Sequence, residues 1–403
     1  MKPIEFTDGA LSDLRVIELG TLLAGPFCGQ ILGDMGAEVI KIEPPGQGDP
    51  LRVWGRHDDP GAPSLWWPVV SRNKKCVTLD LRQREGQEVL KEMAANADFL
   101  LENFRPGTLE KWGLGFDTLS AINPRLIMIR VSGYGQTGPY AHRAGFGAIG
   151  EAMGGLRYVV GDPTTPPSRM GISIGDSLAA TFACVGALSA LHHREKTGRG
   201  QVVDSAIYEA VLNMMESLIT EYDRTGYIRE RTGAILPKIA PSNVYPTADS
   251  MVLIAANQDT VFKRLCEAMG RADLLADPRY AGHHARGQNQ DQLDQIIGRW
   301  SATIPTREVL ALMDAHGVPA GLIYRAPDML EDPQFAAREA IVTVKHPEFG
   351  DLKMQNVAPK LSATPGRIRW VAPALGQHND EIYLGSMQMP VARYADLKSR
   401  KVI

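Results

Sequence analysis

Short apolar runs alternate with amphipathic stretches through the first half of the chain. Arg15–Leu19, Ala37–Glu43, Cys76–Leu81, Ala97–Glu102, Arg125–Val131 and Gln201–Ser205 are compact and mostly apolar, which predicts buried strands. Between them, Phe27–Met35, Glu85–Asn96 and a short stretch at Thr108–Trp112 repeat their apolar residues at helical spacing. Pro26 stands near the start of the first helix, where its missing N–H costs nothing. A further apolar helical pattern begins after Ser177, and Ala206–Thr225 predicts one long helix. Strand–helix alternation of this kind implies a mainly parallel, doubly wound sheet.

Near Tyr227 the pattern changes. Val244–Tyr245 and Met251–Ala256 predict strands, and Asp259–Met269, Asn289–Trp300 and Thr306–His316 predict helices of a smaller α+β unit. Gly317-Val318-Pro319-Ala320-Gly321 breaks that pattern, so the chain is expected to leave the small unit there, and Ala340–Val344 predicts a later strand. The expected domains are therefore 1–225, ending in a linker helix, 226–316, and a return segment over 317–403.

Ligands of doubly wound sheets bind beyond the carboxyl ends of the strands. Four polar loops fall there: Gly20–Gly25, Pro44–Asp49, Asn103–Gly107 and Ser132–Tyr140. Leu51–Trp67 is a longer irregular stretch rich in Trp, Pro and Gly. The first βαβ unit, with Glu43 ending its second strand, invites a dinucleotide reading. Gly20 and Gly25 do not make the GxGxxG fingerprint, which argues against a nicotinamide site.

Composition narrows the field further. The 403 residues carry 43 basic and 46 acidic side chains, a net charge of −3, with no basic run of the kind a nucleic acid needs. Cys28, Cys76, Cys184 and Cys266 are widely separated and form no metal-binding spacing, so buried free thiols and no metal site are expected. Met1–Asp8 lacks a hydrophobic signal region, and no run approaches the length of a membrane span. A cytoplasmic protein that binds neither nucleic acid nor membrane is the expectation.

One carboxylate stands out. Asp176 follows Gly175 at the head of the apolar helical pattern. An Asp there is either a helix N-cap, accepting orphan backbone N–H groups, or a nucleophile able to attack an activated acyl carbon. Gly175, without a Cβ, lets a bulky acyl group come close. The local sequence leaves both open.

The ordered set of short motifs along the chain resembles the class III CoA-transferases, the CaiB/BaiF or formyl-CoA-transferase-like group. It runs through Ala24-Gly25-Pro26, Gly36–Glu43, Asn73-Lys74-Lys75, Leu79-Asp80-Leu81, Glu102–Gly107, Ser132–Gly135, Gly171–Asp176, Lys196–Gln201, Gly317–Gly321 and Leu375–His378. The resemblance implies an interlocked homodimer with a large Rossmann-like domain and a small middle domain. It implies Asp176 as the nucleophile, with CoA contacts at Ala24, Leu79, Asn103, Phe104, Arg105 and Lys111, and Tyr134 as a further contact. Pro44 and Ala144 stand where relatives can carry a basic residue, so Arg82, Lys74 or Arg105 is expected to meet the CoA phosphates. Phe146 replaces a Tyr of some relatives. CoA thioesters are then substrates, with no permanently bound cofactor. The run Arg143–Gly155 is similar to members that move CoA from succinyl-CoA to small dicarboxylic or hydroxy-dicarboxylic acids, and Arg52 or Arg169 would supply a cation for the second carboxylate. Two alternatives remain beside this reading: an α-methylacyl-CoA racemase of the same fold, which needs an acid/base pair at the α-carbon, and a non-catalytic CoA-binding protein.

Overall fold

The computed structural model describes residues 9–56 and 64–403. Residues 1–8 and residues 57–63 of the irregular stretch lie outside the described residues. The chain divides into two compact units. One comprises the residues up to Arg157, Met170–Tyr227 and Ala337–Ile403; the other comprises Tyr158–Arg169 and Ile228–Ala336.

The first unit is built on six parallel strands: β1 (Arg15–Glu18), β2 (Glu38–Glu43), β3 (Lys74–Thr78), β4 (Phe99–Glu102), β5 (Ile127–Ser132) and β6 (Val202–Ala206). Their order is β3-β2-β1-β4-β5-β6. The winding reverses between β1 and β4, which is where an open α/β sheet leaves a crevice. The interleaved helices are α1 (Ala24–Asp34), α2 (Trp67–Val70), α3 (Arg84–Ala94), α4 (Thr108–Lys111), α5 (Phe116–Ile122), α6 (Gly147–Met153), α7 (Leu156–Val159), α8 (Ile174–Thr197), α9 (Ile207–Asn213) and α10 (Leu218–Thr225).

Alternation along the strands sorts the core onto two faces. Ile17, Ile40, Val77, Leu100 and Met128 point one way, against α3, α5 and the C-terminal residues Tyr383, Tyr394 and Leu397. Val16, Val39, Phe99, Leu101, Ile127 and Ile129 point the other way, against α1, α8 and α9. Helix α8 is, among the described residues, the one helix long and apolar enough to cross a membrane by length and composition. Its alanine stripe, Ala179, Ala180, Ala183, Ala187 and Ala190, is instead buried on the sheet and on α1, and Ser205 Oγ ties β6 to the Ala179 carbonyl.

The second unit holds the antiparallel strands β7 (Ser242–Pro246), β8 (Met251–Ala255) and β9 (Ala320–Leu322), with β8 in the middle. Phe262, Leu265, Leu293, Ile297, Val309 and Met313, on helices over Asp259–Ala268, Gln290–Ser301 and Thr306–Ala315, close its core.

Three sequence-based expectations change here. Tyr158–Arg169, expected within the large domain 1–225, groups with the small unit. The chain does not leave the small unit at Gly317, because β9 completes that sheet, and the return to the large unit comes at Ala337. The expected long helix over 206–225 is two helices, α9 and α10, broken at Met214–Ser217, where Glu216 takes a left-handed φ of 51°.

Candidate active site

Helix α8 connects back to β6 and lies along β5 and β6, so its first turn sits at the carboxyl edge of the sheet. The helix starts at Ile174, earlier than its apolar pattern suggests, and its cap residue is Ser173. Asp176 is therefore the third helical residue and not the N-cap. Its charge still lies in the first turn, where the macrodipole favours it.

Glycines shape the space around that carboxylate. A Cβ built on Gly147 would lie 2.4 Å from Asp176 Oδ2, and one on Gly175 would lie 3.0 Å from Glu151 Cγ and 3.1 Å from the Gly147 carbonyl oxygen. Along α6, Gly150 and Gly154 meet Ile207 and Val211 of α9 in the same way, with ideal Cβ positions 2.4 Å and 2.6 Å from those side chains. Helix α6 thus lies as close to α8 and α9 as backbone allows, and Asp176 fits only because residue 147 has no side chain. Behind it, Glu151 is buried; its Oε1 accepts the Gly175 N–H at 3.4 Å, and its Oε2 accepts from Arg157 Nε at 3.1 Å.

The loops after β1 and β4 face each other across the reversal point. The Asn103 side chain is locked to the Thr21 backbone, accepting its N–H and donating to its carbonyl, both at 2.8 Å. Lys41 Nζ donates to the Gly20 carbonyl at 2.8 Å, and Asp49 Oδ1 accepts the Leu22 N–H at 3.1 Å. The Thr21 and Leu22 N–H groups are thus occupied by side chains and cannot cradle a pyrophosphate, a second reason against a nicotinamide site. Glu102, at the end of β4, accepts from Phe104 N and from Arg130 Nε. Burial pushes its carboxyl up to about 7 against the pull of Arg130.

The remaining predicted residues sort by what is left for a ligand. Ala24 and Leu79 are buried, so each offers little beyond backbone. Phe104 packs edge-on against Trp112 with ring centroids 5.6 Å apart. Arg105 and Lys111 are exposed on the segment that follows β4. Arg82 is exposed, and its guanidinium is paired with Asp80 at 2.8 Å. Tyr134 packs edge-on against Tyr140, whose ring also carries the Arg143 guanidinium at 3.7 Å. Arg52 is committed to Glu43 through two bonds of 2.7 Å, to the Pro373 carbonyl and to the Trp67 face; it would have to leave Glu43 to take a substrate carboxylate. Arg169 is exposed and belongs to the second unit. Lys74, expected near phosphate, is fully buried, with its ammonium on Glu18 and the Pro26 carbonyl. A charge enclosed in this way holds the fold together and does not meet a solvent-borne phosphate. Among the described residues no group of three or more His, Cys, Asp or Glu is arranged to hold a metal.

Sequence reasoning gave no role of their own to Gly147 and Glu151, inside the run Arg143–Gly155, or to Asp49, at the end of the loop Pro44–Asp49. Glu151 did leave a signal, as a lone charge in the small-residue run Gly147–Gly155.

A carboxylate seated by glycines at the carboxyl edge of a sheet whose reversal-point loop is preformed suits acyl transfer from a carried thioester. The chain matches the model of CoA-transferase family III over residues 11–379. It is 59% identical to the succinyl-CoA–D-citramalate CoA-transferase of Chloroflexus aurantiacus, over 98% of both chains. It is 42% identical, again over 98% of both, to the beta subunit of the succinyl-CoA–L-malate CoA-transferase of the same organism. A CaiB/BaiF family protein from Brucella suis has a similar crystal structure, with a TM-score of 0.81 at 32% identity over 93% of this chain and 99% of that one.

Proposed function

The chain belongs to CoA-transferase family III and is an enzyme of that class; from that premise we propose that it moves CoA from succinyl-CoA to a small hydroxy-dicarboxylic acid of the citramalate or malate kind, with Asp176 as nucleophile. The observation that carries the acceptor is the 59% identity to a D-citramalate transferase along essentially the whole chain.

The Asp176 carboxylate attacks the thioester carbonyl, and the CoA thiolate leaves. An aspartyl–succinyl anhydride results. The thiolate then attacks the aspartyl carbonyl of that anhydride, releasing succinate and leaving an aspartyl-CoA thioester. The acceptor carboxylate repeats the sequence in reverse: it displaces the thiolate, and the thiolate takes the acceptor acyl group and frees Asp176. No water or redox partner enters, and the thioester energy is kept throughout. The Gly175 N–H is turned toward Glu151, so the oxyanions are met by other donors. Ala24, Leu79, Asn103, Phe104, Arg105, Lys111 and Tyr134 are the proposed CoA contacts, with Arg82 or Arg105 for the phosphates. The acceptor's second carboxylate calls for a cation; Arg52, in the same unit as Asp176, would serve after leaving Glu43. The working unit is a cytoplasmic homodimer.

The test is a transfer assay with succinyl-CoA and a panel of acceptors, read by chromatography of the CoA esters. Citramalate or malate should give the highest kcat/KM. A preference for a monocarboxylate, or no transfer to any dicarboxylate, would overturn the acceptor assignment.

A further inference from the structure

The loop between β1 and α1 contains a residue in a conformation that its side chain disfavours. Leu22 sits at φ 63°, in the left-handed region, with neither a Gly nor an Asn at that position to ease it. Such strain persists only where the surroundings over-determine it, and here one side chain does most of that. Asp49 is buried, with its Oδ1 shared by the N–H groups of Leu22 at 3.1 Å and Leu51 at 2.8 Å, and its Oδ2 2.7 Å from Lys41 Nζ. Lys41 in turn donates to the Gly20 carbonyl at 2.8 Å. Burial works against the charge of Asp49, yet Lys41 and the two backbone donors hold its carboxyl below the usual carboxylate range.

We infer that Asp49 is a positioning residue for thioester binding: it holds Leu22 left-handed and so fixes the Gly20–Leu23 turn that presents Ala24. The inference rests on the reading that this loop receives CoA. Neither Asp49 nor Leu22 needs to touch the ligand. Their effect is preorganisation, which lowers the cost of binding without changing the bond-making steps.

The test is steady-state kinetics in both substrates, with melting curves on each variant. Asp49→Ala should raise the KM for succinyl-CoA by about tenfold, the equivalent of about 1.4 kcal/mol, with kcat held within about threefold. Adding Leu22→Gly to that variant should recover a good part of the loss, because glycine adopts positive φ freely. Leu22→Val keeps Asp49 and the core in place but disfavours positive φ further, so it too should raise the KM for succinyl-CoA; it carries the test if Asp49→Ala does not fold. A folded Asp49→Ala or Leu22→Val protein with an unaltered KM for succinyl-CoA and for the acceptor would overturn the inference, as would Asp49→Ala losses that Leu22→Gly does not relieve. A rise in the acceptor KM instead, relieved by Leu22→Gly, would sustain the positioning role of Asp49 and overturn the assignment of the loop to CoA.

Discussion

Two parts of the same sheet edge are built on opposite principles. At the reversal point, the Gly20–Leu23 turn is held by added groups: Lys41, Asn103 and Asp49 each claim a backbone atom. Around Asp176, the space is made by removal: Gly147 and Gly175 have no side chain, and any Cβ at Gly147 would enter the carboxylate. A carrier bound in every cycle gains from a site that is already in shape. Under the proposed mechanism, a side chain that becomes an anhydride and then a thioester needs room on its reactive side. Deletions should therefore hurt the first region and additions the second.

The largest expected effect is at the proposed nucleophile. Asp176→Ala should cut transfer by more than about a thousandfold while the protein melts as before; calorimetry and the transfer assay together check this. Next comes addition at the glycine seat. Gly147→Ala should displace the carboxylate and lower kcat by about a hundredfold, the cost of an error of about 1 Å in a reacting group, with the KM for succinyl-CoA little altered. If instead it raised only that KM, the contrast between the two regions would fail. Deletion in the carrier loop should be milder. Asn103→Ala removes two bonds to Thr21 and should raise the KM for succinyl-CoA by about tenfold through the loss of about 1 to 2 kcal/mol, with kcat largely kept.

The last effect falls on stability and leaves turnover aside: a slope with pH. Glu102 sits at about 7 in the folded chain because of burial, against 4.5 for an ordinary glutamate. Between those values the folded protein holds a proton that the unfolded chain has lost. The contribution is full below about pH 4.5 and falls as pH rises through about 7, by up to about 3 kcal/mol. Glu102→Gln should flatten that part of the melting-temperature profile between pH 5 and 7.5. Because Glu102 accepts the Phe104 N–H, the same variant also reports whether the segment after β4 depends on that carboxyl group.

The sheet was legible because its strands bury both faces and their apolar runs are short and bounded. Val16, Ile17, Leu100, Leu101, Ile127 and Met128 are each fully buried, which composition alone announces. What periodicity missed depends on single backbone angles and on contacts distant in sequence. Glu216 breaks the expected long helix through one backbone angle. Residues 320–322 are too short to announce a strand and become one only by pairing with β8. At the site, Asp176 could be picked out by its place after a glycine, but whether it capped the helix depended on where the helix starts, four residues before the apolar pattern signals it. Asn103 stood out as a polar loop residue, whereas its amide serves the Thr21 backbone, a partner 82 positions away. Arg52 and Lys74 read as available cations in the sequence; Glu43 and Glu18 had already claimed them in the fold.

The central claim is that the side chain of Asp176 carries the acyl group and then CoA. The direct measurement is peptide mass spectrometry after incubation with succinyl-CoA and quenching with hydroxylamine. The account predicts a hydroxamate at Asp176 that forms only when the thioester is present. Turnover at full rate with no adduct at Asp176, or an adduct on another side chain, would contradict it.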